Sequence, residues 1–422
     1  MYSVRFFQRL VFLVGAAFLL TITPTSAKEV SKDKIVRALK GGNEAVRAQA
    51  LDYLEKQGDD KITSAVLIKI LDLDVKRRGT RDSTLRMLRM LGKIDTPESL
   101  KALADYMQAA DYHIATVAAE AVGTKGTDAA FEALIGAVKS KHFKSMFGFR
   151  HVVVMSILRF DNRQAIAWAV ESLPNVDGLL KVDIVNYLRQ KSGKDLGREL
   201  EEWTKWWDKN KDNEALDTKS VAFGDDGRLR SPGDDGDAAD GDDGGSKYYD
   251  IKIYAQKIVF VIDTSSSMVK HGARLATAKK ELAQTISTLA DDKYFTIIAY
   301  NTRMTPFSRG LVKATVANRD RAVKWVMYLK WARGTNSYGA LGTAFSVDPN
   351  TETIMFLSDG KPTRGKIIEQ QAILAAIKKE NAVRKMLINT IGIYTGGERN
   401  EKFIGFMKDL AKQNTGVYRE VK

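Results

Sequence analysis

The chain of 422 residues reads as a helical N-terminal half followed by an α/β domain built on a doubly wound, mostly parallel sheet. Three observations predict this. Residues 258–262 are an unbroken apolar, largely β-branched run that stops at Asp263, as a buried parallel strand does at its carboxyl end. Residues 353–357 repeat that design before Ser358-Asp359-Gly360. From Lys28 to Lys211, by contrast, apolar residues recur at helical spacing.

Residues 1–27 read as a secretory signal. Arg5 and Arg9 give a positive start, residues 10–22 a mostly apolar core, and Thr25-Ser26-Ala27 small residues for cleavage. That core is shorter than the roughly 20 residues a membrane span needs, an uncleaved anchor being the alternative. The sequence contains no cysteine, which excludes disulfides and a lipid-modified cysteine. A secreted chain without cysteine suggests a bacterial envelope or periplasm.

Residues 28–211 are expected to be helical throughout. Ile114, Val117, Ala118, Ala121 and Val122 lie at i, i+3, i+4, i+7 and i+8 and so share one face. Phe131, Leu134, Ile135 and Val138 repeat the spacing, as do Val46, Ala50, Leu51 and Leu54. Thr96-Pro97-Glu98 offers a cap, a proline at the first helical position and an early acid. Helices of about 10–15 residues in units of about 30–40 suggest stacked pairs, and the region resembles HEAT or armadillo-like solenoid repeats. A compact bundle is the alternative. Trp203, Trp206 and Trp207 near its end are expected to cap the last exposed core, an aromatic binding patch being the other reading.

Residues 212–246 break the composition. Within them, 224–245 hold eight aspartates and seven glycines with almost nothing apolar, so a disordered linker is expected. Weak calcium binding is the alternative, although the closing glutamate of an EF-hand loop is missing. The acidic segment is also placed to mask the basic domain that follows.

Residues 247–422 then alternate strand and helix. Strands are expected at 258–262, 295–300, 354–357 and 387–394, with an edge strand at 416–421. Helices are expected at 274–289, 318–329, 337–345, 366–382 and 400–413, covering both sheet faces. In Asp-x-Ser-x-Ser, Asp263, Ser265 and Ser267 bring three hard oxygens together after the first strand, a donor type suited to magnesium. Thr335 follows a glycine on another loop, and Asp359 ends a second strand. Adjacent parallel strands place Asp263 and Asp359 at one sheet edge, where such folds bind ligands. The competing reading makes both aspartates helix caps.

The segments DTSSSM, GTNSYGAL and FLSDGKPT resemble the metal-ion-dependent adhesion site of von Willebrand factor A domains, in the form found in inter-alpha-trypsin inhibitor heavy chains and related bacterial proteins. The resemblance covers about residues 249–422. It implies that Asp263, Ser265, Ser267, Thr335 and Asp359 hold Mg²⁺, with Mn²⁺ as the alternative ion. It further implies hydroxyl ligands from Ser265, Ser267 and Thr335, and an open position for a partner's carboxylate. Ser266 departs from the glycine usual in that family.

Charge separates the regions. Residues 247–422 carry 29 basic against 15 acidic side chains, a net +14, whereas 213–246 carry 3 against 10, a net −7. The secretory signal and the lack of a basic-aromatic motif argue against nucleic acid as the partner. A protein presenting a carboxylate, an anionic envelope polymer or a lipid surface is the expected partner. Catalytic patterns are missing: there are four histidines and no HExxH, Gly-x-Ser-x-Gly or phosphate loop. A hydrolase using Ser265 or Ser267 with His271 as base would lack a third, orienting group. The sequence therefore predicts a secreted or envelope-associated, non-enzymatic binding or adhesion protein, with the helical repeats as a second interaction surface. The other reading is a scaffold whose metal site only stabilises the domain.

Overall fold

The computed structural model describes residues 31–77, 80–224, 229, 246–270, 273–394 and 400–421. The expected signal, most of the acidic segment and His271 lie outside the described residues.

The first region is helical. It contains α1 (Lys32–Lys40), α2 (Glu44–Gln57), α3 (Asp60–Val75), α4 (Asp82–Lys93), α5 (Pro97–Tyr106), α6 (Tyr112–Gly123), α7 (Asp128–Ala137), α8 (Lys141–Ser145), α9 (Phe147–Leu158), α10 (Arg163–Ser172), α11 (Gly178–Ser192), α12 (Leu200–Asn210) and α13 (Ala215–Thr218). Short polar side chains start many of them. Asn43, Asp59, Thr127 and Asn162 each accept a hydrogen bond from a backbone N–H of the first turn. Thr96 and Ser99 form the reciprocal capping box at α5, where Pro97 takes the first helical position. Helices α2, α4, α6, α9 and α11 pack in sequence as one layer, while α1, α3 and α5 pack behind them. The predicted α6 face is wholly buried. Val46 departs from its predicted face, standing exposed in the first turn of α2 while Ala50, Leu51 and Leu54 are buried.

The far end is closed by α12. Trp203 and Trp206 are buried in an edge-to-face pair 5.9 Å apart, and the Trp203 indole N–H donates to Gly197 O at 3.0 Å. The tryptophans are core residues capping the stack. Packing also runs on past Lys211: Leu216, Val221 and Leu229 are buried. Buried Lys191 holds this strap, donating to Leu216 O at 2.7 Å and Lys219 O at 2.5 Å and pairing with Asp161 at 2.9 Å. The start of the segment expected to be linker is thus part of the folded helical region. Its apolar residues are few but spaced to reach the core.

A small hairpin, β1 (Lys247–Tyr248) with β2 (Ile251–Lys252), leads into the main sheet. That sheet comprises β3 (Lys257–Asp263), β4 (Tyr294–Tyr300), β5 (Met304–Pro306), β6 (Val312–Lys313), β7 (Thr353–Ser358), β8 (Leu387–Ile393) and β9 (Tyr418–Val421). Its order is β5-β4-β3-β7-β8-β9, with β6 also on β4; β3, β4, β7, β8 and β9 are parallel, and β5 and β6 antiparallel. Helices α14 (Ser267–Lys270), α15 (Arg274–Ser287), α16 (Val316–Met327), α17 (Ser337–Phe345), α18 (Gln370–Arg384) and α19 (Glu401–Gln413) complete it. Alternate β3 residues serve two cores. Val259 and Val261 face the side of α17, α18 and α19, while Ile258, Phe260 and Ile262 join α15 and α16. Helix α18 begins later than expected, because Glu369 caps it by accepting from Gln371 N and Ala372 N.

The two regions pack against each other. Helix α18 lies on α6 and α9, so part of the layer expected to meet a partner is covered by the chain's own second region. Gly148 makes the approach possible: a Cβ there would stand 2.0 Å from Val383 O. Phe147 N–H donates to Pro349 O at 3.1 Å, and Lys379 and Lys385 pair with Asp82 and Glu120 at 2.7 and 3.3 Å. Glu352, buried at the junction, accepts from Leu179 N at 3.0 Å and Gln256 N at 3.1 Å.

Candidate functional site at the carboxyl edge of the sheet

Asp263 is the last residue of β3, in register with Tyr300 at the end of β4. Its carboxylate accepts from Ser265 N–H at 2.7 Å, the local turn that a short acidic side chain makes with its own backbone. This turn carries Ser265 and Ser267 to the edge, where their hydroxyl oxygens lie 2.9 Å apart. From the neighbouring strand, Ser358 donates to Asp263 at 2.6 Å, and Ser267 donates to Asp359 at 2.7 Å. Four of the five predicted residues therefore form one connected group across two strand ends.

Thr335 stands on a separate loop, tied by its backbone to Thr363 rather than to these four residues. Gly334 before it has φ +88, the left-handed region in which a side chain would be strained. Thr335 N–H donates to Thr363 Oγ1 at 3.0 Å, and Thr335 O accepts from Thr363 N at 2.9 Å. Ala332 N–H reaches Thr264 O at 3.0 Å, so this loop runs alongside the Ser265 turn. Thr335 is buried on the same edge.

Three residues of the site were not singled out in the sequence. Ser358 bonds Asp263, and the Tyr300 hydroxyl donates to the same carboxylate at 3.3 Å. Both stand at ends of the predicted strands, so strand register was their signal. Arg274 is the third. It is buried and its guanidinium donates to Asp359 at 3.1 Å. A cation in the first turn of α15 opposes the helix dipole, and that mismatch was the available signal.

Asp263 is fully buried, and burial followed by the nearby Asp359 charge pushes its carboxyl up to about 7. The group thus brings together two carboxylates and three serine hydroxyls, with one guanidinium on Asp359. A divalent cation would favour the ionised form of Asp263, and the oxygen donors are of the hard type such an ion prefers, so the residues fit Mg²⁺ or Mn²⁺. Among the described residues no three His, Asp or Glu side chains converge as a metal cluster; the remaining donors here are hydroxyls.

A sheet of this order, with its polar group where β3 and β7 end, defines an α/β domain of the doubly wound type. Residues 256–420 match the family model of the von Willebrand factor type A domain, and the α/β region is a domain of that type. Among curated proteins, the chain is 26% identical over 182 residues to inter-alpha-trypsin inhibitor heavy chain H3 of Bos taurus, covering 40% of this chain and 19% of that protein. It is 27% identical over 172 residues to heavy chain H1 of Sus scrofa, covering 38% and 18%. The chain spans about a fifth of the length of these relatives. Among solved structures, a von Willebrand factor type A protein from Catenulispora acidiphila aligns with TM-score 0.35 and 22% identity, over 40% of each chain. An aerotolerance-related membrane protein from Bacteroides fragilis aligns with TM-score 0.31 and 15% identity, over 39% of this chain and 91% of that one. Among the described residues no helix is long and apolar enough to cross a membrane.

Proposed function

We propose that the α/β domain is a divalent-cation-dependent binding module. Asp263, Ser265, Ser267, Thr335 and Asp359 would hold Mg²⁺, or Mn²⁺ in its place. When bound, the ion supplies a Lewis-acidic position that a partner's carboxylate can occupy. The chain's own residues orient that position: Ser358 and Tyr300 fix Asp263, and Arg274 with Ser267 fixes Asp359. The observation that carries this reading is the hydrogen-bonded joining of Ser265, Ser267 and Asp359 at one strand edge beside a buried, hard-to-ionise Asp263. The protein is read as non-enzymatic and secreted or envelope-associated, with its helical region a HEAT-like stack that supports the domain.

The test is unfolding of the full chain with and without Mg²⁺. An ion that binds the folded state alone stabilises it by about 2.7 kcal/mol at a hundredfold excess over Kd. Wild type should gain stability and Asp263→Asn should not; a wild type indifferent to millimolar Mg²⁺ rejects the proposal.

A second reading is favoured by Arg274, which already supplies Asp359 with a buried positive charge. The site would then be a structural polar network in a scaffold protein. In that case Mg²⁺ would leave both stability and carboxylate binding unchanged.

A further inference from the structure

The loops around the candidate metal edge carry an exposed surface that the metal reading does not use. Tyr328 is 82% exposed and Trp331 52%, next in sequence to Ala332, which pairs with Ser265. Met327, 53% exposed, ends α16 immediately before them, and Ile368, 54% exposed, lies on the loop between Asp359 and α18. Large apolar side chains held in the open on neighbouring sequence, as Met327, Tyr328 and Trp331 are, are commonly reserved for a contact. The same loops expose Lys270, Arg303, Lys330, Arg333, Lys361 and Arg364. Among the described residues 264–270, 301–303, 328–336 and 360–369 the one acidic side chain is Glu369, which is engaged in capping α18.

We propose that these loops form a cationic and aromatic collar that recognises an acidic peptide strand bearing an aromatic or aliphatic residue beside the carboxylate it presents. The inference rests on the metal-dependent reading of the site, and deepens it by naming the partner's chemistry. Charge complementarity selects an acidic ligand and speeds its approach. Methionine, isoleucine and the two aromatic rings offer an apolar contact that a polymer of hydroxyls and carboxylates uses poorly. A peptide supplies both an acidic side chain for the edge and an apolar one for the collar. Anionic polysaccharide, which shares only the charge, is the ligand the test must separate.

The experiment measures binding of the full chain to three probes in millimolar Mg²⁺: polyglutamate, a glutamate–tyrosine copolymer of matched length, and polygalacturonate. The copolymer should bind about tenfold tighter than polyglutamate, the equivalent of one well-placed aromatic contact. The double variant Tyr328→Ser, Trp331→Ser should erase that preference while keeping its affinity for polyglutamate. Lys330→Ser with Arg333→Ser and Lys361→Ser should weaken both peptides and flatten their salt dependence. Equal affinity for the two peptides, polygalacturonate binding as tightly as the copolymer, or no binding of either peptide would overturn the collar. An EDTA arm keeps the two claims apart. A copolymer preference that survives EDTA unchanged supports the collar and rejects the metal reading. Mg²⁺-dependent binding without the preference rejects the collar alone.

Discussion

Asp263 and Asp359 stand at neighbouring strand ends but carry different burdens. Asp359 shares its charge with the buried Arg274, whereas Asp263 is held by the Ser265 N–H and the hydroxyls of Ser358 and Tyr300. In metal-free buffer, Asp359→Ala leaves Arg274 buried without this partner and should cost about 3–5 kcal/mol in urea unfolding. Asp263→Asn keeps an acceptor and removes a carboxyl that burial already disfavours, so its stability should stay within about 1 kcal/mol of wild type. Similar losses for both would show that the two carboxylates are equivalent. Most of this site was legible in the sequence, because oxygen-bearing residues at the ends of two apolar runs had to meet once the strands paired. Arg274 was not, since its contact with Asp359 spans 85 positions and no local pattern pairs the two.

At the scale of elements, the central strands were readable because both faces are buried, giving continuous apolar runs. The edge strands β5 and β6 were not, being two or three residues long and mostly exposed. The strap after α12 was hidden for another reason: Leu216, Val221 and Leu229 lie in short apolar stretches with no helical or strand period, and their anchor, Lys191, reads as an ordinary surface lysine until its burial is seen. Lys191→Ala should release the strap and leave Asp161 without this buried partner, costing about 3 kcal/mol. Limited proteolysis checks it: cleavage between 212 and 223 should become faster in the variant, and an unchanged pattern would mean that the apolar residues alone hold the strap.

The molecule as a whole departs furthest from the sequence reading. Two domains on a flexible tether were expected, whereas α18 is seated on α6 and α9 and Glu352 is buried where the regions meet. Burial raises the Glu352 carboxyl to about 7 from an ordinary 4.5, with Asp177 adding to the rise and the N–H groups of Leu179 and Gln256 and the charge of Arg150 opposing it. A raised acid holds its proton in the folded state while the unfolded chain has released it. Stability should therefore fall by about 3 kcal/mol as pH rises from 4.5 to 7, and level off above. In Glu352→Gln that part of the slope should vanish; an equal slope in urea unfolding at pH 5 and 8 would place its origin elsewhere. The packed junction also means that the α/β region cut at residue 246 should be less stable than the full chain. The central claim remains the metal, and Mn²⁺ electron paramagnetic resonance tests it most directly. Titrating Mn²⁺ into the full chain should reveal one bound ion, displaced by Mg²⁺ and missing in Asp263→Asn. A wild-type spectrum of free Mn²⁺ throughout, or an equal bound signal in Asp263→Asn, would contradict a metal centre at the edge of β3 and β7.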